Sequence, residues 1–142
     1  MVIVLLSIVA AMASMRMPGD KINVVALAEQ LASDIRYTQS MAMSRGQRHR
    51  INFTAINYQI MDNAGNPLQS PGSGLNITPF VSAVLSGYNP PLTNNYVAFD
   101  SLGVPYTDPT TAQAALATLT LTWGGQTATV TIAPQTGRVQ AQ

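Results

Sequence analysis

An uncharged apolar run standing directly ahead of an amphipathic helical pattern constrains this chain more than any other feature. The run is Met1 to Met15, MVIVLLSIVAAMASM, and after Arg16-Met17-Pro18-Gly19 the helical pattern occupies Asp20 to Arg45. Fifteen residues rise about 22 Å as a helix, against a hydrocarbon core of roughly 30 Å, so the run by itself falls short of a bilayer span. Three readings are open: part of a longer membrane helix, a signal peptide, or a buried core helix. A signal peptide wants a positive segment before the apolar one, and none precedes Val2, although Ala11-Met12-Ala13 imitates a cleavage site. A core helix needs apolar surface all round, more than the strands downstream offer. A few further apolar residues ahead of Met1 would bring the run to spanning length.

Proline removes a backbone donor and clashes with the preceding turn, so Pro18-Gly19 predicts a kink or local melting. Asp20 is the expected N-cap of the amphipathic helix. Val24, Leu27, Ala28, Leu31, Ile35, Thr38 and Ala42 then recur every three or four residues, with Glu29, Ser33, Arg36 and Ser40 opposite them. Arg45 followed by Gly46 marks the stop, pairing a cation at the negative end of the helix with a residue free to take positive φ.

Beyond Gly46 the apolar period falls to two. His49, Ile51 and Phe53 alternate with Arg48, Arg50, Asn52 and Thr54, and Tyr58, Ile60 and Asp62 continue a second strand. Asp62 to Pro67 is a turn cluster, Gln69 to Gly74 a loop, Leu75 to Leu85 a strand interrupted at Pro79, and Ser86 to Asn95 an exposed loop. Tyr96 to Phe99 is a short strand, Asp100 to Gly103 a turn, and Pro105 to Thr111 irregular. The sharpest local expectation is the last hairpin. A Gly124-Gly125 turn pairs Leu121 with Ala128 and Leu119 with Val130, and sets Thr120 opposite Thr129 on a polar face. Pro134 to Gly137 is a second turn, and Arg138, Val139 and Gln140 form a short terminal strand.

With 142 residues the chain is about one domain long, and its fold class is α+β: a long N-terminal helix packed on antiparallel sheet. Charged residues are 9% of the chain and the net charge is +1, so overall charge names neither a nucleic-acid nor an anionic-membrane partner. Without cysteine there is no disulfide framework or thiol nucleophile. His49 is the sole histidine, and Asp20, Glu29, Asp34, Asp62, Asp100 and Asp108 are scattered. No catalytic, cofactor or metal residues are therefore assigned, and no small-molecule substrate is expected. The local exception is Arg45, Arg48 and Arg50. Clustered arginines hold phosphates bidentately, but helix-end charge and solvated strand residues are the plainer reading.

Several segments together resemble the type IV pilin-like proteins, and within them the minor pilin and pseudopilin group that includes GspH and FimT. They are Leu31-Ala32-Ser33-Asp34-Ile35-Arg36-Tyr37 with Ala42-Met43-Ser44-Arg45-Gly46, then Val97-Ala98-Phe99-Asp100-Ser101-Leu102-Gly103, then Val130 to Val139. The resemblance implies a helix that sits in the inner membrane before assembly and packs against other pilin or pseudopilin subunits afterwards. Residues 1–17, with Val2, Ile3, Val4, Leu5, Leu6, Ile8 and Val9 as their apolar body, would be the membrane and filament-core part, and residues 18–142 the periplasmic or extracellular domain. It also implies a leader, a Gly-Phe processing site and a following glutamate, which this chain does not contain; Met1 is expected to fall within a longer apolar helix, and N-terminal methylation belongs to the resemblance alone. Some members of the group end in Gly-Arg-x-Arg, associated with DNA binding. Here Gly137-Arg138-Val139-Gln140 keeps Arg138 and has Gln140 in place of the second arginine, which weakens that reading.

Overall fold

In the computed structural model, residues 19–89 and 94–142 are described, with side chains of the helix from Asn23 onward. The expectations for the apolar run and for Pro18 lie outside these residues. Helix α1 spans Gly19–Arg45. Gly19 and Asp20 are both helical, so Asp20 lies inside the first described turn and is not the N-cap. At the other end the chain stops as expected. Gly46 has φ 62° and the Gln47 amide donates to Ala42 O at 3.2 Å, the hydrogen bond of a Schellman cap.

Among the described residues ten short strands come after it: β1 His49–Phe53, β2 Asn57–Met61, β3 Pro67–Leu68, β4 Thr78–Pro79, β5 Val84–Asn89, β6 Tyr96–Phe99, β7 Pro105–Tyr106, β8 Ala117–Trp123, β9 Gln126–Ile132 and β10 Val139–Ala141. They form two antiparallel sheets. The first runs β3-β2-β1-β6-β7, with β4 also on β2; the second runs β10-β9-β8-β5. Leu85 N–H donates to Ala55 O at 2.8 Å, tying the second sheet to the β1–β2 turn. Helix α1 lies against both sheets. Its predicted inner face is buried at Val24, Ala28, Leu31, Ile35, Thr38 and Ala42, while Glu29, Ser33, Arg36 and Ser40 face outward.

The β8–β9 hairpin has the expected register, Leu121 with Ala128, Leu119 with Val130 and Thr120 with Thr129. Gly124 and Gly125 both take positive φ, 57° and 77°, which a two-residue turn of type I′ requires of both central residues. The inward residues are buried and the threonines between them are half-buried or exposed.

The segment from Leu75 to Asn89 departs from the sequence reading, and residues 90–93 of the expected loop lie outside the described residues. Only Thr78 and Pro79 of the predicted Leu75–Leu85 strand pair with β2, and the loop expected from Ser86 is instead strand as far as Asn89. The reason lies in β8. Its long, regular edge supplies partners for Val84 through Asn89, with a bulge between Leu85 and Gly87 that absorbs the irregular sequence. Local propensity around Gly87 and Asn89 is poor, and pairing overrides it.

Candidate functional site

The molecule's chemistry is concentrated along α1, where side chains fasten three distant segments to one helix face. Asp34 falls between Leu31, Ile35 and Thr38 and is fully buried. Of the six carboxylates scattered along the sequence, this one lies inside the packing of the helix on the sheets. One carboxyl oxygen accepts from Tyr58 Oη at 2.6 Å and from Ser70 Oγ, and the other accepts from the Gly72 amide at 3.4 Å. Ser70 Oγ also accepts from Ser73 N–H at 3.3 Å, so the loop after β3 is folded onto the helix through this group. Burial, and then the neighbouring Asp34 carboxyl, push the Tyr58 hydroxyl far above its ordinary pKa, which keeps it a donor. Buried polar groups need partners, and here one carboxyl group serves two buried hydroxyls at once.

One turn further along, Gln39 donates through its amide nitrogen to Gly103 O and Thr136 O, both at 2.9 Å. Beneath it sits Gly137, at φ 63°, where an added Cβ would strike the Gln39 side chain, meet Gly103 O at 2.5 Å and meet Phe99 at 3.0 Å. The Asp100–Gly103 turn is itself shaped by Asp100 Oδ1, which accepts from the amides of Leu102 and Val104, each at 2.9 Å. Arg36 donates through Nε and Nη2 to Val139 O at 3.2 and 3.0 Å. The three segments that carry the family resemblance therefore meet at one place: the second half of α1, the β6 turn and the β9–β10 turn. Sequence reasoning passed over Gln39 and Asp34. The only signal for Asp34 was its position between apolar residues on the helical period.

The arginines do not converge. Arg48 and Arg50 flank a cavity of about 40 Å³ on the outer side of β1, together with His49, Asp62 and Asn63. Arg48 lies 4.2 Å over the Tyr106 ring and donates to Pro109 O at 2.7 Å. Arg50 lies 5.8 Å from the Tyr96 ring and reaches Met61 Sδ at 3.6 Å. Asp62, whose acidity is raised by hydrogen bonds from Asn66, adds an opposing charge to the same cavity. Arg45 is exposed at the end of α1 and Arg138 is exposed in the β9–β10 turn, and neither lines that cavity. His49 points inward and is 1% exposed, with Nδ1 3.0 Å from Gln47 O. Among the described residues no three of His, Cys, Asp and Glu gather as metal ligands.

The GspH family model, described as Type II transport protein GspH, matches residues 27–137. The chain belongs to the GspH family. The matched stretch begins on the α1 face that holds Asp34 and Gln39 and ends at Gly137, under Gln39. No curated protein sequence matches this GspH-family chain. Among solved structures it is similar to the type IV minor pilin FimU of Pseudomonas aeruginosa in two crystal forms. One match has 17% identity over 82% of this chain and 90% of that one, with a TM-score of 0.57. The other has 18% identity over 84% and 87%, with a TM-score of 0.59. The fold is thus pilin-like α+β, an N-terminal helix laid on antiparallel sheets.

Proposed function

We propose that this chain is a structural minor pilin or pseudopilin subunit, anchored in the inner membrane by residues 1–17 and assembled through that helix with other pilin-like subunits into a pilus or pseudopilus. The observation that carries the reading is the junction at Gln39 and Gly137, where the helix, the β6 turn and the β9–β10 turn lock into one rigid head. Such a head adds bulk and identity to an assembling helix and needs no reacting groups of its own. Among the described residues no helix is long and apolar enough to cross a membrane, so anchoring rests on the apolar sequence ahead of them.

The test is a division of labour. Residues 18–142, expressed alone, should be water-soluble and unfold in one cooperative transition, while the full chain should sediment with membranes. An unfolded fragment, or a full chain recovered in the soluble fraction, overturns the two-part reading.

A second reading, a DNA-binding subunit of an uptake pilus, is favoured by one observation: Arg48 and Arg50 lie on the same outer face with Tyr106 and Tyr96 beneath them. It predicts DNA binding that weakens with salt and whose salt slope drops by about 1 for each phosphate-contacting arginine changed to glutamine, with Arg45, Arg48, Arg50 and Arg138 as the candidates. No binding at low salt removes it.

A further inference from the structure

The second sheet ends at β10, with no strand on its far side among the described residues. The ladder with β9 shows which backbone groups face that open side. Gln142 and Thr129 exchange both of their backbone hydrogen bonds, each at 2.8 Å, and Arg138 O accepts from the Ala133 amide at 2.9 Å. Bonded pairs alternate along an antiparallel ladder, so Gln140 faces Thr131 in the same manner, and the N–H and C=O groups of Val139 and Ala141 point away from β9. Gln140 is exposed and Ala141 partly exposed, which leaves the strand reachable from outside. One of the outward groups is taken. Arg36 reaches from α1 to Val139 O, donating through Nε at 3.2 Å and Nη2 at 3.0 Å. Gln39 ties down turn carbonyls, whereas Arg36 ends on the edge of a strand.

We infer that Arg36 is an edge guard, an autoinhibitory contact that closes β10 to strand addition by a second copy of this chain. A bare strand edge is a template for another strand, and a charged side chain set on the edge is one way of blocking it. The register itself describes how a second copy would pair. Two β10 strands related by a two-fold axis at Gln140 set Val139 opposite Ala141 of the second copy, and Ala141 opposite its Val139, each pair exchanging two hydrogen bonds. Every outward donor and acceptor of Val139 and Ala141 finds a partner in that arrangement. Val139 O is among those acceptors. While Arg36 holds it, each pair is short of a bond, and the guanidinium lies where the incoming backbone would run. The same charge-assisted contact that fastens β10 to the helix thus keeps the sheet from growing between copies.

The chain has no cysteine, so Gln140→Cys is a reporter without background. In the paired arrangement the two 140 positions stand directly opposite, with Cα atoms about 4.5 Å apart, within disulfide range. Full chains carrying Gln140→Cys, with Arg36 kept or changed to alanine, are oxidised in detergent micelles at about 1 M salt, where charge repulsion between copies reaches only about 3 Å. Arg36→Ala is expected to speed formation of the disulfide-linked dimer by about tenfold, the equivalent of one charge-assisted hydrogen bond. Adding Ala141→Pro, which removes an outward N–H and leaves the β9 ladder alone, should return the rate to that of the chain with Arg36. Ala64→Cys, at an exposed position in the β2–β3 turn, should cross-link equally with either residue at position 36. No acceleration by Arg36→Ala overturns the inference. Acceleration that survives Ala141→Pro means that Arg36 only pins a terminal strand that frays without it, and acceleration seen equally at Ala64→Cys means general association; either overturns the guard as well.

Discussion

Replacing Asp34 with alanine is expected to lower the stability of the head by roughly 2 to 5 kcal/mol, because it strands two buried hydroxyl donors and opens a void beside Ile35 and Leu31. For a domain of this size that is a fall in thermal midpoint of about 10 to 20 °C. The loss should be uneven. Ser70, Gly72 and Ser73 are held over the helix through this carboxyl group, so hydrogen exchange in residues 69–75 should quicken more than exchange in the β8–β9 hairpin. Asp34→Asn separates packing from polarity. Its amide oxygen can still accept from Tyr58 and Ser70, but its NH₂ would face the Gly72 amide donor to donor, so an intermediate loss is expected. If Asp34→Ala shifts the midpoint by less than about 2 °C, well below that range, the network does not hold the loop.

Gly137→Ala is the second substitution with a large expected effect. The left-handed backbone costs an L residue about 1 to 2 kcal/mol, and forcing a methyl group into a packed site costs about 1 to 3 more. The methyl would press on the Gly103 carbonyl and the Phe99 ring, neither of which can withdraw as a flexible side chain can. Gly46→Ala supplies the control, since Gly46 has nearly the same φ, 62°, and open space around it. Chemical denaturation of both variants should show Gly137→Ala costing more than Gly46→Ala by the contact contribution. Equal losses would mean that Gly137 matters for its backbone angle only, and the three-segment junction would lose its keystone.

That junction also explains why the family resemblance could be read at all. The helix end, the Phe99–Gly103 turn and the Val130–Val139 segment are far apart in sequence, yet Gln39 reaches the carbonyls of Gly103 and Thr136 from one amide nitrogen. A turn carbonyl can be held this way only if the turn presents it at a fixed place. Gly103 at φ 80° and Gly137 at φ 63° provide such turns without a side chain in the way.

Local rules were enough wherever a segment's own period met its own stop signal. The apolar spacing of α1, the Arg45-Gly46 ending and the Gly-Gly hairpin with its register could all be read from residues close together, because a helix face and a two-residue turn are decided over a few residues. Everything that needed a distant partner stayed hidden. Strand β5 exists because β8 offers an edge, not because Ser86-Gly87-Tyr88-Asn89 favours extension. Asp34 shows in the sequence only its place between Leu31, Ile35 and Thr38; its partners Tyr58 and Ser70 come over it from 24 and 36 residues away. Arg48 and Arg50 share a strand face as alternation requires, but the rings beneath them come from β7 and β6. The apolar run at the start and the period of the helix behind it were written in the sequence alone; which loops and turns close over that helix was decided only by the tertiary packing, because the groups that hold them lie far apart along the chain.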